Sequence, residues 1–204
     1  MEIQTFQTTP FMTNCYVISD GGDTLVIDPG DATQELLAAV DGRTVTAIVN
    51  THGHGDHCAG NAALIAHTGA PLWIHEADID LLRAIPEQGR MFGVTFAPSP
   101  EPAHRLAPGR PLTVGATVFE VRHAPGHSPG HVVLVSPDCV IAGDVLFAGS
   151  IGRTDLPGGN HQQLLESIRS QLLPLNDDCV VYPGHGPATT IGTERATNPF
   201  LQDL

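Results

Sequence analysis

Four times in this chain a short apolar run ends in a glycine-flanked histidine or aspartate. Val45 to Asn50 leads into Thr51-His52-Gly53-His54-Gly55-Asp56-His57, and Thr117 to Arg122 leads into His123-Ala124-Pro125-Gly126-His127-Ser128-Pro129-Gly130-His131. Cys139 to Ala142 leads into Gly143-Asp144, and Cys179 to Tyr182 into Pro183-Gly184-His185-Gly186. Apolar runs of this length bounded by Gly and Pro read as strands. Neighbouring strand ends can gather at one rim of a sheet, where rigid elements hold the side chains. Any one of these residues alone is a turn cap; four groups with one layout point to a shared site.

The donor chemistry is that of a metal centre. His52 and His54 alternate as on an extended strand, so both can face one ion. Asp56 and His57 lie past the bend and can face a second, and Gly53 and Gly55 suit the tight backbone between them. A first ion would take His52, His54 and His127, and a second Asp56, His57 and His185. The two oxygens of Asp144 allow it to bridge. Five imidazoles, two carboxylates and no thiolate leave open positions, as catalytic sites do, whereas structural zinc is closed and Cys-rich. Two divalent ions per chain are expected, zinc first, with iron or manganese compatible with the same ligands. Asp28 and His131 are the candidate outer partners. His67, His75, His104, His123 and His161 fall outside this ligand set.

The rest of the chain alternates strands and helices, which indicates an α/β layer fold in one domain over residues 1–204. Strands are expected at Glu2 to Thr8, Cys15 to Ser19 and Thr24 to Asp28. A helix follows from Thr33 to Val40, with Asp31 and Gln34 at capping-box spacing. Further helices are expected near Ala59 to His67 and within Glu76 to Ile85, the latter stopped by Pro86. Pro86 to Pro111 reads as loop. An Asn160-capped helix runs to about Leu172, and Thr193 onward adds a helical turn.

Composition narrows the partners. Against 9 Lys and Arg stand 22 Asp and Glu, a formal charge of −13, which repels phosphate backbones and argues against nucleic acid. No apolar run approaches the roughly 18 residues of a membrane span, and the N-terminus shows no signal pattern, so no membrane partner and a cytoplasmic location are expected. Cys15, Cys58, Cys139 and Cys179 are widely spaced and read as small buried residues. The oligomeric state is not legible.

The order HxHxDH, PGH, GD and PGHG resembles the metallo-β-lactamase superfamily. Phe147 through Gly159, Tyr182 through Pro187 and Asn198-Pro199-Phe200-Leu201 resemble the short bacterial glyoxalase II-like hydrolases. The resemblance covers essentially the whole chain. It implies a four-layer αββα sandwich with the metal site at one edge of the two sheets. It also implies hydrolysis of S-lactoylglutathione or a related small-molecule thioester by a hydroxide bridging the metals, with Asp56 and Asp144 as catalytic carboxylates. Only seventeen residues follow Pro187, too few for the C-terminal glutathione-binding region of full-length glyoxalase II. In the stretch matching that family's basic-aromatic substrate segment, Arg153 keeps the charge for a substrate carboxylate, while Asp155 replaces the aromatic. The main rival resemblance is to persulfide dioxygenases of the same fold, which use one iron on two histidines and a carboxylate, here His52, His127 and Asp144. A non-catalytic metal-binding protein is a third reading, against which stand the seven complete ligands.

Overall fold

The computed structural model describes residues 1–202, which form two compact units. The first comprises Met1–Leu106 and Thr113–Val118. Its strands are β1 (Glu2–Thr8), β2 (Thr13–Asp20), β3 (Asp23–Ile27), β4 (Thr44–Val49), β5 (Leu72–His75) and β6 (His104–Leu106), hydrogen-bonded in that order into one sheet. The first three are antiparallel neighbours and β3 to β6 run parallel. Gly21 and Gly22, both at positive φ, make the two-residue β2–β3 turn, as a tight hairpin requires.

Its helices are α1 (Gln34–Val40), α2 (Gly55–Cys58), α3 (Asn61–Thr68), α4 (Ile79–Arg83) and α5 (Ile85–Met91). The cap of α1 is Thr33, whose hydroxyl accepts from the Leu36 N–H at 3.2 Å, and not the Asp31–Gln34 box. The helix expected from Ala59 is interrupted at Gly60, whose N–H donates to the Pro29 carbonyl at 2.8 Å. Pro86 does not stop a helix. It sits in the first turn of α5, where no backbone donor is needed, so the segment read as loop opens with helix and later supplies β6. Leu36, Ile48, Leu64, Ile74, Leu82 and Ile85 are fully or almost fully buried in the core of this unit.

The second unit comprises Ala107–Leu112 and the chain from Phe119 onward. With β7 (Leu112–Val114), β8 (Thr117–His123), β9 (Val132–Val135) and β10 (Cys139–Gly143) come the short hairpin β11 (Leu146–Phe147) and β12 (Ser150–Ile151), then β13 (Val180–Pro183) and β14 (Thr189–Thr190). The second six-stranded sheet is ordered β14-β13-β10-β9-β8-β7, and β11–β12 pair separately. β10 and β13 are parallel, joined through α6 (His161–Ser167), whose Asn160 cap accepts from the Gln163 N–H at 3.0 Å. A π-helical stretch, Ile168–Leu172, extends it. Leu164, Ile168 and Leu172 pack with Val133, Val140 and Val181 in this unit's core. α7 (Ile191–Thr197) closes the described chain, capped by Thr190.

The fold is thus mixed α/β with two sheets and helices, the class the sequence implies. All four cysteines are buried thiols outside any disulfide. Among the described residues no helix is long and apolar enough to cross a membrane.

Candidate metal centre

In the first unit the parallel pairing of β3 and β4 brings their carboxyl ends to one sheet edge, where open α/β sheets place their ligands. Asp28 follows β3 and the His52 loop follows β4. Asp28 adopts φ +54°, a left-handed conformation that Asp tolerates better than most residues. Its Oδ1 accepts from the Thr51 N–H at 2.7 Å, and its Oδ2 from the Thr51 hydroxyl at 2.7 Å. The same Oδ2 lies 3.1 Å from His57 Nδ1. A carboxylate there holds the Nδ1 proton, which leaves the Nε2 lone pair of His57 directed away from Asp28.

His52 and His57 are fully buried and His54 nearly so. Their rings cluster, with centroids 4.8 Å apart for His52 and His54 and 4.2 Å for His52 and His57. One ligand atom each from Asp28, His52 and His57 lies within 4.8 Å of the others. Asp56 Oδ2 accepts from the Thr13 hydroxyl at 3.1 Å and stands 3.5 Å from His57 Nε2.

Gly53 and Gly55 have a reason other than a positive φ. A Cβ on Gly53 would lie 2.7 Å from the Asp78 carbonyl oxygen and from Leu81 Cβ, and one on Gly55 2.5 Å from the Phe96 ring. Two residues that the sequence did not single out fix this loop. Buried Asp78 accepts from the Gly53 N–H at 2.8 Å. Gln88 accepts from the Gly55 N–H at 2.8 Å and donates to the Gly53 carbonyl at 3.2 Å.

In the second unit, β8, β9 and β10 alternate in direction and β13 runs with β10. The carboxyl ends of β8, β10 and β13 therefore share an edge with the amino end of β9. That edge carries His127 and His131, Asp144, and His185. One oxygen of Asp144, Oδ2, lies 3.5 Å from His127 Nε2 and 3.6 Å from His185 Nε2. His127 Nδ1 donates to the Arg153 carbonyl at 2.8 Å. A carbonyl only accepts, so the proton sits on Nδ1 and the Nε2 lone pair is available. His131 Nε2 accepts from the Asp144 backbone N–H at 3.0 Å, so it holds the main chain at that residue. Gly126 is at φ +133°, and a Cβ there would fall 2.2 Å from the Leu164 backbone nitrogen, so the Pro-Gly-His turn depends on glycine.

Arg153, the candidate for a substrate carboxylate, has an acidic neighbour in the structure. Its guanidinium grips Asp155 through both oxygens, at 2.8 and 2.7 Å, and the pair is exposed. The Arg153 guanidinium pulls the Asp155 carboxyl down to about 2. The part of Arg153 that reaches the site is its backbone carbonyl. The other histidines are engaged elsewhere: His67 near Asp41, His75 at a helix start, His104 against Trp73, His123 on the Pro129 carbonyl, and His161 opening α6.

The donor set fits borderline divalent metals. It is nitrogen and oxygen only, and in His57 and His127 a hydrogen bond at Nδ1 fixes the tautomer that exposes Nε2.

The family described as the metallo-beta-lactamase superfamily matches residues 8–185. A hydroxyacylglutathione hydrolase, GloC, of Haemophilus influenzae is 38% identical over 98% of this chain and 98% of that protein. The crystal structure of the BLEG-1 B3 metallo-beta-lactamase superposes with a TM-score of 0.91 at 36% identity, covering 98% of this chain and all of the other. That of TTHA1623 in a di-iron-bound form gives 0.91 at 39% identity, over 97% of this chain and all of the other. With a match that begins in β1 and ends on His185, and relatives alike over almost their full length, this chain belongs to the metallo-β-lactamase superfamily.

Proposed function

We propose that this protein is a metal-dependent thioester hydrolase acting on S-lactoylglutathione or a related acyl thiol. The observation that supports it most is the Asp144 carboxylate, one oxygen of which stands 3.5–3.6 Å from the Nε2 atoms of both His127 and His185. A carboxylate so placed between two imidazoles could be shared by two ions, one held by each. His52, His54 and His127 would hold one ion and Asp56, His57 and His185 the other, with Asp144 common to both. Two such ions, zinc first and iron or manganese next, supply Lewis acidity and lower the pKa of water toward ~7.

The chain's own groups do the rest. Asp56, tethered by the Thr13 hydroxyl, would orient the attacking water as well as bind metal. Asp28 and the Arg153 carbonyl keep the Nδ1 protons of His57 and His127 in place. A thiol with a free pKa of about 8.5 leaves as thiolate without a strong general acid. The likeness to GloC across the whole chain agrees with this chemistry. Asp155 takes the Nε and Nη2 donors of the exposed Arg153 guanidinium, so a carboxylate on the thiol carrier would share Arg153 with Asp155.

A second reading, β-lactam hydrolysis, is favoured by the 36% identity to the B3 enzyme. Its amine leaving group needs a proton that a thiolate does not. Metal content, turnover of S-lactoylglutathione and of a chromogenic cephalosporin, and oxygen uptake with glutathione persulfide decide between these. Two ions per chain with dominant thioester turnover, abolished in Asp144→Ala and retained in His67→Ala, is the expected result. A cephalosporin preferred in kcat/KM, or oxygen uptake by a one-iron protein, overturns the proposal.

A further inference from the structure

The ligand assignment leaves the carboxylate of Glu194 unexplained. It lies in α7, 1% exposed, and a buried carboxylate is costly unless hydrogen-bonded. Three neutral donors serve it: the Gly149 N–H and Asn198 Nδ2, each 2.8 Å from Oε2, and the Thr189 hydroxyl, 2.6 Å from Oε1. Gly149 is the turn of the β11–β12 hairpin. Asn198 Nδ2 also donates to the Ser150 carbonyl of that hairpin, at 3.0 Å. The turn is therefore gripped from α7 by charge-assisted bonds, which are roughly twice as strong as neutral ones.

The hairpin in turn touches two of the candidate ligands. The Phe147 ring packs edge-on against His185, with centroids 6.2 Å apart. On the other strand, Ile151 pairs with Leu146, and two residues later the Arg153 carbonyl takes the His127 Nδ1 proton at 2.8 Å. Between them, Gly152 is packed so closely that a Cβ would fall 1.9 Å from the Asp144 carbonyl oxygen and 3.3 Å from His127 Nδ1. Little slack separates the hairpin from the ligands.

We infer that Glu194 is a positioning residue for the metal ligands: by pinning the β11–β12 hairpin, it holds the Arg153 carbonyl that fixes the His127 tautomer and the Phe147 ring that backs His185. The inference rests on His127 and His185 being ligands, and the test separates the two ideas.

The readouts are the His127 tautomer in metal-free, full-length, 15N-histidine-labelled protein at about pH 8, where imidazoles are ordinarily neutral, and zinc affinity by competition with a chromophoric chelator. His127→Gln identifies the His127 signals and tests the ligand assignment itself. Glu194→Ala is expected to mix the two His127 tautomers and weaken zinc binding about 10–100-fold, the range for lost outer partners. Glu194→Gln, which keeps one acceptor oxygen, restores part of both. Thr189→Val deletes a single donor and gives a smaller shift of the same kind, should Glu194→Ala not fold. Val40→Ala, in the other unit's core, is the control for stability loss alone and leaves tautomer and affinity unchanged. Zinc binding lost in His127→Gln but intact in Glu194→Ala, with the wild-type tautomer, overturns the positioning role. Zinc binding intact in His127→Gln overturns the ligand assignment and the inference with it.

Discussion

Asp28 shows how much one side chain can carry. It holds a positive φ, caps the start of the His52 loop through Thr51, and orients His57. Asn tolerates the same backbone region and keeps one acceptor oxygen but not the charge opposite His57. Asp28→Asn is therefore expected to fold while binding zinc about 10–100-fold more weakly, measured by chelator competition. A variant with unchanged affinity would show that the charge at Asp28 does not matter to His57. The exposed Arg153–Asp155 pair carries a different expectation. The hydrogen bonds from Arg153 pull the Asp155 carboxyl down to about 2 in the folded protein, below the roughly 3.9 of an unfolded chain. Its stabilising contribution is thus present above about pH 4 and lost as pH falls through about 2, and solvent screening keeps it small. Carboxyl 13C titration should give that midpoint for Asp155, and Arg153→Ala should return it to near 4.

At the scale of elements, the edge-forming loops are set by contacts that a Cβ would violate. Gly53→Ala pushes into the Asp78 carbonyl and Leu81, neither of which is the free end of a side chain. It should cost at least the roughly 1–3 kcal/mol of an overpacked core and loosen the His52–His54 pair, measured by urea unfolding and metal content. Gly55→Ala meets the Phe96 ring first, at 2.5 Å, a side chain rather than backbone, and should cost less if that ring can shift. The strands leading to these loops were legible because each is an apolar run closed by Gly and a ligand-type residue. So was the Asn160 cap, whose partner is three residues away. Pro86 was misread because a proline ends one helix and opens the next equally well. Asp78 and Gln88 left no trace in the sequence: they reach the ligand loop across 25 to 35 residues, and no local pattern encodes such a contact. Glu194 escaped for the same reason, its grip on Gly149 spanning 45 residues. Asp28 and His131 were legible by type and position beside strand ends, but what they bind required the fold.

For the whole molecule, the formal charge of −13 sets the field in which any substrate arrives. With Arg153 tied to Asp155, an anionic thioester gains little local attraction. Its kcat/KM should rise as salt screens the repulsion, while that of a neutral thioester stays flat. A fall with salt would reveal an attractive path to the site. The buried cysteines have a bearing on chemistry as well as packing. Burial, with Asp28 adding to it, holds the Cys15 and Cys58 thiols well above the usual range. Burial also raises Cys139, and pushes Cys179 up to about 11. Acyl exchange from a thioester requires a thiolate and access, and these four thiols offer neither. Prolonged exposure to an excess of acyl thioester should leave all four cysteines unacylated by peptide mapping, whereas in a denatured sample they are modified. Burial thus keeps all four sulfurs of this chain out of reach of electrophiles.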